Sequence, residues 1–153
     1  MKVMIKKVGI STFNPDTDEI FDFWILGRLQ TMREIRIFDN LPYDLRDMEN
    51  QEIDCLLFMT LSGIPVDHKT EDQLKTPILK GYYLGKYKLS DKWRIPKYIK
   101  LKYDHIKEFH AIQVENDIFL ISPSDIEYYS VKKGEEFTFQ AIEFELLTWN
   151  PIK

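Results

Sequence analysis

Alternation of apolar and polar positions dominates this chain and is strongest in QEIDCLLFMTLSG, residues 51–63. Successive side chains of a strand point to opposite faces, so period-two alternation predicts β-structure. Leu56 and Phe58 make the second face of this segment apolar as well, which is typical of a strand covered on both sides. We therefore predict a central, buried strand here. Its first face carries five apolar residues: Ile53, Cys55, Leu57, Met59 and Leu61.

Three shorter segments before this strand also predict β-structure: residues 2–10, 21–29 and 34–40. The apolar residues of FDFWILGRL (21–29) also fit a helical stripe that ends at Met32. Aromatic and β-branched residues dominate the segment, however, and these residue types favour strands. We interpret it as a strand with a bend or bulge at Gly27.

The later part of the chain predicts further strands and one hairpin. GYYLGKYKL (81–89) reads as a strand with glycines at its bends, and WRIPKYIKLKY (93–103) as an exposed extended segment. In HAIQVENDIFLIS (110–122) two alternating runs flank Asn116 and Asp117. Such a pair of turn residues between alternating runs predicts a β-hairpin that turns at these two residues.

The last predicted strand, KKGEEFTFQAIEFELLTW (132–149), changes its alternation part-way along. Phe137 and Phe139 define one parity, and the apolar residues that follow define the other. A one-residue bulge near Gln140 and Ala141 would reconcile the two halves, because an extra residue switches which face the side chains occupy. The residues of opposite parity are Ile142, Phe144 and Leu146.

Helical signals are short. YDLRDMEN (43–50) predicts a helical turn or an irregular link, residues 66–76 a short surface helix or a loop, and PSDIEYYS (123–130) one helical turn. Aromatic residues make up 14% of the 153 residues, and the chain has only two alanines. This composition is typical of strands rather than helices. Because this length suits one ordinary domain, we predict a single β-rich domain over residues 1–153.

The fold class that these elements predict is mostly β, a small closed or half-closed antiparallel β-barrel with one or two short helices. From Gln51 to Leu147, the bulged strands and a long irregular insertion resemble the oligonucleotide/oligosaccharide-binding barrel, so we describe the prediction as OB-like. A β-sandwich accounts for the same strands and is the alternative. Either architecture hosts many functions, so the fold alone predicts none.

Charge is distributed unevenly. The basic-aromatic segment, residues 80–107, has nine basic and two acidic residues, a net charge of plus seven. The rest of the chain carries minus eleven, which gives the total of −4 and a pI near 5.4. The candidate binding residues are the rings and cations of this segment: Tyr82, Tyr83, Lys86, Tyr87, Lys88, Lys92, Trp93, Arg94, Lys97, Tyr98, Lys100, Lys102 and Tyr103.

Two functions suit such a segment. Cations bind phosphates and rings stack on unpaired bases, which would allow single-stranded nucleic-acid binding by an OB-like barrel. The same residues could instead dock an acidic protein, with Trp93 and Arg94 as anchors. Because a dedicated nucleic-acid binder is usually basic overall, we expect a non-catalytic binding or assembly module with an acidic protein partner. Nucleic acid is the alternative, and an enzyme with an unrecognised site is the second alternative.

Self-association is a further option for the partner. Acidic residues mark the polar face of the last elements, and an acidic face together with a basic segment would favour head-to-tail contacts between copies. A final strand with one glutamate face is also simply the water side of a sheet. The acidic residues are Glu127, Glu135, Glu136, Glu143 and Glu145.

Other candidate chemistry in the sequence is weak, so we predict no metal and no cofactor. His105 and His110 are five residues apart, a spacing that fits neither a helical metal pair nor alternate strand positions. His68 lies in a polar loop. Residues 14–19 could offer oxygen ligands to calcium, but local turn hydrogen bonds explain them better. Cys55 lies in an apolar run and predicts a buried, inert thiol.

The chain begins without the continuous apolar region of a signal peptide, because Lys2, Lys6 and Lys7 interrupt it. No run approaches the roughly 18 apolar residues of a membrane span. From the sequence we therefore expect a cytoplasmic protein that does not enter the membrane.

Overall fold

Eight strands and two short helical elements form the fold in a computed structural model of the chain, which describes residues 1–64, 71–94 and 109–152. The helical elements are a 3-10 turn, Arg46–Met48, and helix α1, Pro123–Glu127. The strands are β1 (Lys2–Phe13), β2 (Ile20–Leu29), β3 (Glu34–Asp39), β4 (Glu52–Leu61), β5 (Ile78–Lys86), β6 (His110–Val114), β7 (Asp117–Ile121) and β8 (Glu136–Pro151).

All eight strands belong to one sheet whose pairings close on themselves. The order is β1-β2-β3-β8-β4-β7-β6-β5, and the additional pairings β1–β4 and β8–β5 return each end of the sheet to its middle. Strands β4 and β8 are therefore common to both halves of a ring-like arrangement. The mostly β fold class is confirmed, and the closure is consistent with a barrel-like or sandwich-like fold. The specific likeness to the OB barrel stays a prediction.

The central position predicted for residues 51–63 is confirmed. Strand β4 pairs antiparallel with β8 and β1 and parallel with β7. Every residue from Cys55 to Met59 is buried, so both faces of the strand are covered. The Cys55 thiol is 1% exposed, and burial raises its pKa to about 12.

The parity change in β8 is real, but the bulge lies slightly later than predicted. Thr60 of β4 pairs with Glu143 of β8, and the next residue, Leu61, pairs with Ala141. Ile142 is therefore the extra, unpaired residue of β8 at this point. Ile142 was predicted to share a buried face with Phe144, yet it is 45% exposed. The prediction for Ile142 was wrong because a residue within a bulge need not follow either parity.

The hairpin is confirmed, with its turn one residue earlier than predicted. Val114 and Asp117 form the last pair of β6 and β7, which leaves Glu115 and Asn116 as the two-residue loop. Glu115 has a φ of +54°, as such tight turns require. Asp117 shares the inward parity of Phe119, and it is buried as the first residue of β7.

Other local predictions are confirmed in part. Residues 20–29 form a strand, β2, rather than a helix. The bulge expected at Gly27 lies on the neighbouring strand, because Ile5 pairs with Gly27 and Lys7 with Leu26, leaving Lys6 between them. Of the predicted link 66–76, the described part is a loop closed by one bridge between Asp72 and Thr76.

Two apolar clusters lie on opposite faces of β4. The main core fills the inner side of the sheet with side chains of every strand. The second cluster lies on the outer face, and residues 87–93 supply part of its cover. Its five buried members are Leu56, Phe58, Ala111, Leu120 and Leu147.

Candidate functional site

The structure describes the basic-aromatic segment from Lys80 to Arg94, which includes eight of the thirteen candidate residues. The other five lie outside the described residues. They are Lys97, Tyr98, Lys100, Lys102 and Tyr103.

Strand β5 places the first two rings on opposite sides of the sheet. Tyr83 faces the main core, is 8% exposed, and hydrogen-bonds through its hydroxyl to Nδ1 of His110. Tyr82 faces outward beside Lys80, whose Nζ lies 3.0 Å from Glu136 Oε1. A hydrogen bond with Glu136 raises the pKa of the Tyr82 hydroxyl. Only Tyr82 of this pair therefore offers a ring to solvent.

Beyond β5 the segment runs across the outer face of the sheet. Tyr87, Leu89 and Trp93 pack against the second cluster, and all three are half-buried. The Tyr87 amide donates to the Phe109 carbonyl at 3.0 Å, and the Arg94 carbonyl accepts from Thr148 Oγ1 at 3.3 Å. These contacts fix both ends of residues 87–94 to the sheet. Together with Lys86, the last residue of β5, these residues form a covering strap, residues 86–94, rather than a free loop.

The cations of this strap are exposed to solvent. Lys86, Lys88, Lys92 and Arg94 are all exposed. Lys92 Nζ lies 2.7 Å from Asp54 Oδ2 and 4.7 Å from the centre of the Trp93 ring.

Asp54 is thus an acidic partner of the strap among the residues that the structure describes. Burial alone would raise the pKa of this carboxyl, but the hydrogen bond from Lys92 and the amino group of Met1, 3.3 Å away, outweigh it, so the pKa is lowered. Lys92 and Asp54 are 38 residues apart, and no sequence signal paired them.

A cleft of about 360 Å³ opens beside the strap. Its apolar walls come from the strap, from β4 and from β7, and Lys92 stands at its edge. A cleft with apolar walls and a cationic rim can accept an apolar side chain from an acidic chain. The lining residues are Met1, Leu56, Tyr87, Ser90, Lys92, Trp93, Asn116 and Ile118.

One indirect signal of this arrangement is present in the sequence. Leu56 and Phe58 made the outer face of β4 apolar, which predicted a cover without saying which residues supply it. The structure shows that Tyr87, Leu89 and Trp93 of the candidate binding segment supply part of that cover. Packing against the second cluster therefore accounts for the rings of Tyr87 and Trp93 in a surface segment.

A second cavity, of about 260 Å³, lies between the β2–β3 turn, the start of β5 and the β6–β7 hairpin. Phe119 and Phe144 contribute apolar walls, and Arg33, Glu115 and Asp117 contribute polar groups. Burial raises the pKa of the Asp117 carboxyl, and nearby Glu115 adds to the effect. The sequence did not single out this cavity because Asp117 read as a turn residue.

Metal-binding geometry is not found in the part of the chain that the structure describes, where no three His, Cys, Asp or Glu side chains could share an ion. The 14–19 loop uses local hydrogen bonds, with Asn14 Oδ1 accepting from the Asp16 amide at 2.9 Å. His110 is bonded to Tyr83, and His68 and His105 lie outside the described residues.

The acidic residues of the C-terminal region are partly engaged inside the chain. Glu136 pairs with Lys80, and Glu135 Oε1 accepts from the Lys132 amide at 2.7 Å. Glu143 and Glu145 also have partners. The idea of self-association through these residues stays a prediction.

Comparison with known proteins adds no functional information. No protein-family model, no curated protein and no solved structure matches this chain. Among the described residues, no helix has the length and apolar character to cross a membrane.

Proposed function

We propose that this protein is a non-catalytic binding module whose strap, residues 86–94, docks an acidic segment of a partner protein. One observation carries the proposal: the strap has four exposed cations, of which Lys92 stands at the edge of a cleft with apolar walls, while the rings of the strap are held against the sheet. An acidic peptide would place its carboxylates against the cations and one apolar side chain in the cleft between Trp93 and Ile118.

Charge complementarity favours an acidic partner. Residues 80–94 contain five basic side chains and one acidic one, on a chain whose total charge is −4. A local patch of the opposite sign to the rest of the molecule orients a partner as it approaches and disfavours the wrong face. Trp93 and Arg94 belong to residue types that often carry most of the binding energy at an interface.

The same geometry argues against base stacking on this strap. Tyr83 lies in the main core, and Tyr87 and Trp93 are packed against the second cluster. Lys92 also lies over the Trp93 ring. A stacking platform needs ring faces that are open to successive bases, and among the described rings of the segment only Tyr82, which is 49% exposed, is not at least half-buried against the protein.

Selection of short random peptides on the immobilised protein tests the proposal. Enriched peptides should be acidic and share one apolar residue. Their affinity should fall about thirtyfold with Trp93→Ala, the loss of about 2 kcal/mol expected for a hot spot. It should also fall steeply with salt and with the double change Lys88→Glu and Arg94→Glu.

A matched control uses Lys132→Glu with Lys133→Glu, which changes the net charge equally at two exposed positions outside the strap. This variant should bind the selected peptides nearly as the unmodified protein does. Peptides without acidic character, or equal losses in both charge variants, would refute docking at the strap. Tight binding of a mixed-sequence single strand that Tyr82→Ala abolishes would instead favour the nucleic-acid alternative.

A further inference from the structure

A tryptophan lies flat on the outer face of β1 and β2, well away from the strap in sequence. Gly9 and Trp24 are direct cross-strand partners. A Cβ atom at Gly9 would lie 2.2 Å from both Cε2 and Cζ2 of the Trp24 ring, so the indole rests on the glycine backbone. Glycine is required here because any side chain would push the ring off the sheet.

Cations surround this indole. Lys7 Nζ lies 5.8 Å from the ring centre and Arg36 Cζ lies 5.3 Å from it. The Arg36 guanidinium is also 5.7 Å from the ring of Phe38, which pairs with Trp24 across β2 and β3. Arg36 Nε is buried without a hydrogen-bond partner, so the guanidinium retains an unused donor.

A pocket of about 410 Å³ is built over this ring, within the usual size range of small-molecule sites. Leu26 and Leu74 form apolar walls, and the Arg36 amide donates to the Leu74 carbonyl at 3.0 Å, which holds the loop wall in place. Among the residues that the structure describes, the lining carries three cations and no acidic residue. It consists of Lys7, Trp24, Leu26, Arg36, Leu74 and Lys75.

One carboxylate, that of Asp72, is coupled to these cations. Its Oδ1 accepts from the amides of Leu74 and Lys75, both at 3.0 Å. These hydrogen bonds, together with the charges of Lys75 and Arg36, lower the pKa of the Asp72 carboxyl, so this group offsets part of the positive charge. With three cations in the described lining against this one carboxylate, the site keeps an excess of positive charge.

From this geometry we propose that the pocket over Trp24 binds a nucleoside phosphate, with the base stacked on the indole and the phosphates held by Lys7, Arg36 and Lys75. A base stacked on the indole contributes about twice the free energy of an exposed cation–π contact, so the base can replace the cations over the ring. The displaced cations then reach the phosphates. The volume of the pocket, about 410 Å³, is that of a small-molecule site, which favours a free nucleotide over a continuous strand.

Isothermal titration with adenosine, AMP and ADP tests this site. Affinity should rise with each phosphate, and ADP should bind with a dissociation constant below about 1 mM. Trp24→Ala should weaken ADP binding about fivefold or more, since stacking is lost, while Trp24→Phe should restore part of it. Lys75→Ala should weaken ADP more than adenosine.

Trp93→Ala is the matched control, because it removes an indole from the strap and leaves the Trp24 pocket intact. It should not change ADP binding, so this site and the docking strap can fail independently. Pyrophosphate binding as tightly as ADP would refute the stacking role, as would an unchanged ADP affinity in Trp24→Ala. A short single strand that binds far more tightly than AMP would assign the face to nucleic acid and overturn the proposal. Absence of ADP binding would also overturn it.

Discussion

Lys92 Nζ lies 2.7 Å from Asp54 Oδ2, and this ion pair ties the strap to the central strand β4. It joins the most basic part of the chain to the strand that organises the fold. The pair also keeps one strap cation partly occupied within the molecule.

Asp54→Asn should therefore have opposite effects on stability and on docking. Stability at neutral pH should fall by less than about 1 kcal/mol, the usual value of a partly exposed ion pair. The folded-state pKa of Asp54 is lowered, so its contribution exists above the ordinary value of 3.8 and is lost as pH falls below it. Denaturant unfolding measured across the acid range should show that the free energy of unfolding falls less steeply with decreasing pH in Asp54→Asn than in the unmodified protein.

Acidic peptides selected on the strap should bind Asp54→Asn more tightly, because Lys92 is released. Asp91→Asn removes an equal charge from an exposed strap position and serves as the control. It should leave the acid dependence of unfolding unchanged. A similar change in both variants would mean that the Lys92–Asp54 pair contributes nothing specific.

The bulge in β8 gives a second prediction, because two neighbouring apolar residues should behave very differently. Phe144 is fully buried and Ile142 is 45% exposed. Phe144→Ala should cost about 3–5 kcal/mol of unfolding free energy, whereas Ile142→Ala should cost about 0.5 kcal/mol or less. Chemical denaturation of the two variants measures the difference. Comparable losses would place the bulge elsewhere.

This contrast also shows how far the sequence predicts the fold. Alternation located most strands, and the doubly apolar run of β4 correctly predicted its central place. Alternation could not locate the Ile142 bulge or the Glu115–Asn116 turn, because each depends on the register with a partner strand.

The candidate site was predicted less completely than the fold. Net charge and ring content made the strap visible in the sequence. The pairing of Lys92 with Asp54, and of Gly9 with Trp24, joins residues that are distant along the chain and adjacent only after the sheet closes. Sequence spacing therefore could not show that the rings of the strap are largely used for packing.

Asp117 should change stability with pH in the opposite direction to Asp54. This residue is 3% exposed, and burial raises the pKa of its carboxyl above 3.8. The folded state therefore favours the protonated form, and stability falls as pH rises through the raised pKa. Asp117→Asn removes the ionisable group with little change in shape, so it should raise the melting temperature at neutral pH.

The advantage of Asp117→Asn should disappear below about pH 3.8, where the carboxyl of the unmodified protein is protonated in both states. Glu115→Gln, at an exposed position of the same hairpin, should give a much smaller gain at neutral pH, because Glu115 only adds to the effect of burial on the pKa of Asp117. A variant less stable than the unmodified protein at neutral pH would indicate that Asp117 is ionised and paired across the cavity with a cation such as Arg33.

Gly9 gives the most direct test of the Trp24 platform. In Gly9→Ala the new Cβ would meet Cε2 and Cζ2 of the indole at 2.2 Å, so the ring must tilt away from the sheet. Overpacking of this kind costs about 1–3 kcal/mol of unfolding free energy.

Fluorescence of a variant in which Trp93 and Trp149 are replaced by Phe reports on Trp24 alone, and its emission should shift as the ring becomes more exposed. ADP binding should weaken together with this shift, although every cation of the pocket is retained. Unchanged emission and unchanged affinity in Gly9→Ala would show that the indole does not depend on the glycine, and the platform would then lose its structural basis.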